Sequence, residues 1–248
     1  MVKGLDKFRE YFADFSEQYV LIGGAACDIS FNEVGADFRA TKDLDVVLVV
    51  EALTKEFGQQ FWEFVREGGY QHRARSNGSP QFYRFEKPEN KEFSKMIELF
   101  ARTDAVLHPN AALIPLHIDD AVSSLSAILL NQEYYQLLMS GRKVIDGVSV
   151  LNASYLIPFK AKAWLDLNDK KNAGVHVDSR DIKKHRNDVL RIAAELPLED
   201  RVELPAMIKG DMLLFTELVQ GDPLDLKILG LPNVKLRDLI ELLKTIYC

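Results

Sequence analysis

A hydrophobic run that stops at two glycines, followed about twenty residues later by a second run entered through two carboxylates, constrains this chain more than any other feature. Tyr19-Val20-Leu21-Ile22 is a four-residue run ending at Gly23-Gly24. That pattern reads as a short buried strand closed by a tight turn, with no Cβ on the turn to keep a ligand away. Ala25–Phe31 reads as the start of a helix whose first N–H groups face the same space. Asp43–Val50 reads as a second strand from its β-branched content, becoming continuously apolar toward its end.

Asp43 and Asp45 stand at i and i+2 of that strand, so both side chains leave one face. Two carboxylates on one face repel each other, and a divalent cation such as Mg²⁺ or Mn²⁺ removes the conflict while holding phosphate oxygens. A solvated strand entry that happens to be acidic is the alternative. Glu98 lies between Ile97 and Leu99 in the apolar run Lys95–Ala101, where a carboxylate is costly unless paired or metal-bound. It reads either as a third metal ligand or as the partner of Arg39 or Arg102.

Other segments supply a scaffold. Residues 3–17 carry Leu5, Phe8, Tyr11, Phe12 and Phe15 at helical spacing, and Leu53–Glu67 repeats the pattern before Gly68-Gly69. Strands over 70–75 and 81–86 flank the turn signal Asn77-Gly78-Ser79-Pro80, and Asp146-Gly147 marks a second hairpin within 143–150. Further strands are expected over 113–118 and 124–130. From Ala153 the period becomes helical, with helices expected over 154–168, 179–195, 198–220 and 236–247. The expected architecture is α/β: a mixed sheet with flanking helices over 1–150, then an all-helical domain over 151–248.

The chain of 248 residues is 47% hydrophobic and 27% charged, the balance of a globular protein able to bury a core. No apolar run reaches the length of a membrane span, and the two cysteines make no disulfide framework, so a cytoplasmic protein without membrane association is expected. The net charge of −6 argues against a whole-surface nucleic-acid binder. Residues 160–191 run against it, with nine Lys/Arg and five acids. This segment is either a solvated helix face laced with pairs such as Lys184–Asp188 or a positive wall for phosphates. None of the five histidines (His72, His108, His117, His176, His185) has ligand spacing to another, which argues against zinc.

Gly23-Gly24, Asp43-Leu44-Asp45 and Glu98 resemble, in order, the Gly-Gly, Asp-x-Asp and third-acid pattern of the polymerase-β-like nucleotidyltransferase superfamily. The run Arg39-Ala40-Thr41-Lys42-Asp43-Leu44-Asp45 is similar to the AbiEii-type nucleotidyltransferase toxins of type IV toxin–antitoxin systems. The resemblance spans about residues 15–195. It implies an α+β nucleotidyltransferase fold and transfer of a nucleoside monophosphate from an NTP to a hydroxyl acceptor, with Asp43, Asp45 and Glu98 as metal ligands. Gly23, Gly24, Arg39 and Thr41 are then expected to bind the nucleotide.

Toxins of this type carry a lysine on the first helix after the sheet and an Arg-Asp pair about twenty residues on, which Lys160 and Arg180-Asp181 match. Lys160 is expected to neutralise phosphate charge, with Lys162 as its alternative, Arg180 beside the nucleotide, and Asp181 positioning the lysine or activating the hydroxyl. Ala25 stands where the superfamily often has Ser or Thr, and Glu98 where many relatives have Asp. The implied acceptor is RNA, with a tRNA end in view, or a protein side chain, and a cognate antitoxin is an implied partner. Two rivals stay open: an antibiotic-type enzyme with a small-molecule acceptor, and an inactive binding partner that kept the fold.

Overall fold

The computed structural model describes residues 2–33, 35, 38, 41–74, 80–101, 128–129, 131–222 and 224–248. It divides into one unit of Met1–Asp119 with Arg142–Asn152, and a second of Asp120–Gly141 with Ala153–Cys248.

The first unit is built on a mixed sheet. Its strands are β1 (Tyr19–Ile22), β2 (Asp43–Leu48), β3 (Gln71–Ala74), β4 (Pro80–Glu86), β5 (Met96–Ala101), β6 (Arg142–Ile145) and β7 (Val148–Leu151). They are ordered β3-β4-β5-β2-β1-β7-β6. β2 runs parallel to β5 and β1 parallel to β7, while β1–β2, β3–β4, β4–β5 and β6–β7 are antiparallel. All four residues of β1 are buried, as expected for a strand covered on both faces. The hairpin expected at Asp146-Gly147 forms, with both residues at positive φ.

Helices α1 (Leu5–Phe12), α2 (Gly23–Glu33) and α3 (Lys55–Gly68) flank the sheet. α1 ends at Phe12 and a 3₁₀ turn over Ala13–Phe15 completes the longer helix read from the periodicity. Phe8 and Phe12 from α1 and Phe57, Phe61 and Phe64 from α3 are buried with Tyr19. Phe8 meets Tyr19 edge-on at 5.2 Å and Phe64 at 5.9 Å, geometry that adds to the area these rings bury. The Thr54 hydroxyl accepts from the Phe57 amide at 3.2 Å to start α3, and Gly69 at φ +61° closes it.

The second unit is helical: α4 (Gln132–Ser140), α5 (Ala153–Asn172), α6 (Ser179–Glu195), α7 (Ala206–Gln220) and α8 (Leu236–Tyr247). The mixed sheet with flanking helices and the helical C-terminal part are thus the architecture of the chain. Three readings are corrected. Ile128 and Leu129 are helical where a strand was expected. α4 has no counterpart among the sequence expectations; it starts at Asn131, whose side-chain oxygen Oδ1 accepts from the Glu133 and Tyr134 amides. The helix expected from 198 starts at Ala206, because Pro205 biases its predecessor toward extended backbone. The strand expected over 113–118 and the turn at Asn77-Gly78 lie outside the described residues.

Pro158 sits inside α5 and has no N–H for the Ser154 carbonyl four residues back. The Tyr247 hydroxyl, at the end of α8, donates to that carbonyl instead. Burial holds the Tyr247 pKa well above its usual value, so the phenol stays a donor. No helix among the described residues is long and apolar enough to cross a membrane.

Candidate active site

In the first unit the diglycine turn and the acidic strand meet. β1 is antiparallel to β2 with Ile22 opposite Asp45, so the turn after Ile22 lies beside the start of β2. Gly23 adopts φ +66°, a conformation that L side chains rarely take. A Cβ added there would stand 1.9 Å from Asp45 Oδ2, so the carboxylate occupies the room that a side chain would need. At Gly24 a Cβ would stand 3.0 Å from Thr41 Oγ1. The two glycines are what allow Asp45 and Thr41 to close on the N-terminus of α2.

Asp43 and Asp45 are half-buried and flank Leu44, which is fully buried. This alternation puts both carboxylates on one face, as the spacing requires. β2 continues in register into β5, with Asp45 opposite Glu98, and β5 into β4, with Glu98 opposite Arg84. A polar row therefore crosses three adjoining strands. Arg84 Nε donates to Glu98 Oε1 at 2.8 Å, and the second guanidinium nitrogen donates to the same oxygen. Glu98 is thus paired with Arg84, a partner absent from the sequence expectations. The missed signal is the β4–β5 register, which no local pattern encodes. Arg39 and Arg102 lie outside the described residues.

Among the described residues, no group of three or more His, Cys, Asp or Glu is arranged to hold a metal ion. The pair Asp43/Asp45 offers hard oxygen donors on one face beside a turn with no side chain of its own, a donor set suited to one hard divalent cation. Ala25, where the resemblance calls for a hydroxyl, is fully buried.

The second unit carries Lys160, Lys162, Arg180 and Asp181. Lys160 is 7% exposed on α5, and its ammonium donates to Asp188 Oδ2 at 2.9 Å. Arg191 reaches the other oxygen of Asp188 at 3.8 Å. The carboxylate that holds Lys160 is Asp188, and Asp181 is exposed in the first turn of α6. The two acids are seven residues apart, about two turns, so they share a helix face at different heights. The expected Lys184–Asp188 pair is replaced in the same way: Asp188 is fully buried and Lys184 exposed.

Lys162 pairs with Asp166 at 2.7 Å. Burial opposes its charge, but the hydrogen bond and the field of Asp166 leave its pKa raised. Arg180 is mostly exposed and bonds the side chain of Asp178, the N-cap of α6. The hydrogen bonds from Arg180 hold the Asp178 carboxyl below its usual value, and Asp178 raises Arg180 in return.

No protein-family model matches the chain, and no curated protein matches it. Among solved structures the chain is similar to an antigenic nucleotidyltransferase-like protein from Paracoccidioides brasiliensis. The identity is 15% over 94% of this chain and 95% of that one, with a TM-score of 0.44.

Proposed function

We propose that this chain is a nucleotidyltransferase that moves a nucleoside monophosphate from an NTP to a hydroxyl acceptor. The observation that carries the reading is the contact between Gly23 and Asp45: a left-handed glycine at the head of a helix, with a carboxylate in the space of its missing side chain. Such a turn exposes backbone N–H groups to phosphate oxygens while an acid pair stands beside them.

Asp43 and Asp45 would hold a divalent cation, Mg²⁺ or Mn²⁺, which supplies charge neutralisation to triphosphate oxygens. Gly23, Gly24 and Thr41 line the phosphates, and Glu98 is the third acid of the row. The acceptor oxygen bonds to the α-phosphorus as the bond to the β-phosphate bridging oxygen breaks, releasing pyrophosphate; the hydroxyl proton passes to a carboxylate of the row.

RNA is the proposed acceptor, supported by the exposed Lys171, Lys183 and Lys184 on α5 and α6. A toxin-like role with a cognate antitoxin rests on the likeness of Arg39–Asp45 to the AbiEii-type toxins. The test incubates purified protein with Mg²⁺, each labelled NTP and total RNA. Label should move to RNA, and Asp45→Ala or a chelator should abolish the transfer. No transfer, together with no NTP-dependent thermal shift of the wild type, would sink the reading.

A further inference from the structure

The row across β4, β5 and β2 carries a consequence for the charge at the acid pair. Arg84, Glu98 and Asp45 are successive register partners on adjoining strands, which lie about 4.8 Å apart. Both N–H donors of Arg84 converge on Glu98 Oε1. The two side chains are 23% and 16% exposed, so their attraction is screened less than that of a surface pair. Glu98 thus already has a full counter-charge from the protein itself, and no third acid among the described residues joins Asp43 and Asp45 in a metal-holding group.

We propose that Arg84 is a positioning residue that neutralises Glu98 and keeps it out of the metal's ligand set, so that the row holds one divalent cation, on Asp43 and Asp45. The inference rests on the functional reading above. Arg84 does for Glu98 what a second cation would otherwise do. It also sits about two strand spacings from the acid pair, where its positive charge weakens cation binding and keeps the requirement to one ion.

The test is Mn²⁺ titration of the full chain, followed by electron paramagnetic resonance, with and without ATP. Wild type is expected to bind one ion. Asp45→Asn should lose at least about tenfold in affinity, as removal of a hard charged ligand demands. Glu98→Gln, which keeps size and polarity, should lose far less than Asp45→Asn. Arg84→Met should bind Mn²⁺ about tenfold more tightly or take up a second ion, as loss of a unit charge two strands away predicts. Arg84→Lys should return the wild-type behaviour, which a purely structural role would not require.

Two bound ions in the wild type, Glu98→Gln as damaging as Asp45→Asn, or Arg84→Met without effect on Mn²⁺ would each overturn this inference and leave the proposed transferase standing. Absence of any Mn²⁺ binding by the wild type would overturn both. Glu98→Gln keeps the test decisive if Arg84→Met does not fold.

Discussion

The Lys160 ammonium and the Asp188 carboxylate meet at 2.9 Å with 8% and 0% of their side chains exposed. Taking two charges this far from water is costly, and the pair persists because each satisfies the other. Asp188→Ala takes this carboxylate from the buried Lys160, and should lower stability by about 3–5 kcal/mol. Replacing both, Lys160→Met with Asp188→Leu, should recover most of that loss. Urea unfolding of the three proteins measures both changes. A double variant no more stable than Asp188→Ala would contradict the assignment.

Gly23→Ala combines an unfavourable backbone with a collision at Asp45 Oδ2. Gly174 has φ +81° and nothing within 4 Å of an added Cβ, so Gly174→Ala carries only the backbone cost, about 1–2 kcal/mol. Gly23→Ala should cost clearly more and should remove the NTP-dependent thermal shift, which Gly174→Ala retains. Thermal unfolding with and without ATP compares the two, and equal effects would argue against the contact.

The Tyr247–Ser154 bond repairs the gap that Pro158 leaves in α5. Tyr247→Phe strands a buried carbonyl and should cost about 1–3 kcal/mol. In a Pro158→Ala background the backbone N–H gained at that position can bond the Ser154 carbonyl, so the same change should cost less. A double-mutant cycle by urea denaturation reads the coupling, and additive effects would refute it.

Alkaline pH tests the packing around Tyr70. Burial pushes its pKa up to about 12, with the hydrogen bond to the Ser94 hydroxyl offsetting part of the rise. The phenol donates to the Ser94 carbonyl at 2.8 Å. A raised folded-state value means the native chain keeps a proton that the unfolded chain gives up above about pH 10. This contribution is full below pH 10 and is lost between about pH 10 and 12, on the order of 2 kcal/mol. Denaturation midpoints across that range should fall less steeply for Tyr70→Phe. Parallel curves would show that Tyr70 is not responsible.

Much of the first unit was legible because its signals are local. The apolar run before Gly23, the alternation around Leu44 and the Asp146-Gly147 turn each depend on a few neighbouring residues, and each appears where the sequence puts it. Other parts depended on competing local effects. Asn131 starts a helix that the weak periodicity of 132–140 did not announce, and Pro205 delays a helix that its apolar content favoured.

The sequence alone determined which residue types could form a site: two acids on one strand face, a turn without side chains, and cations on later helices. It even held a clue to Asp188, which stands four residues before the buried Ile192 on the inner face of α6, where a carboxylate needs a cation. Partner choice was decided only by tertiary structure. Strand register set Arg84 against Glu98, and the packing of α5 with α6 gave Lys160 to Asp188 instead of Asp181. The physical reason is range: periodicity and turn chemistry act over a few residues, whereas an ion pair depends on which distant segments share a register and a buried face.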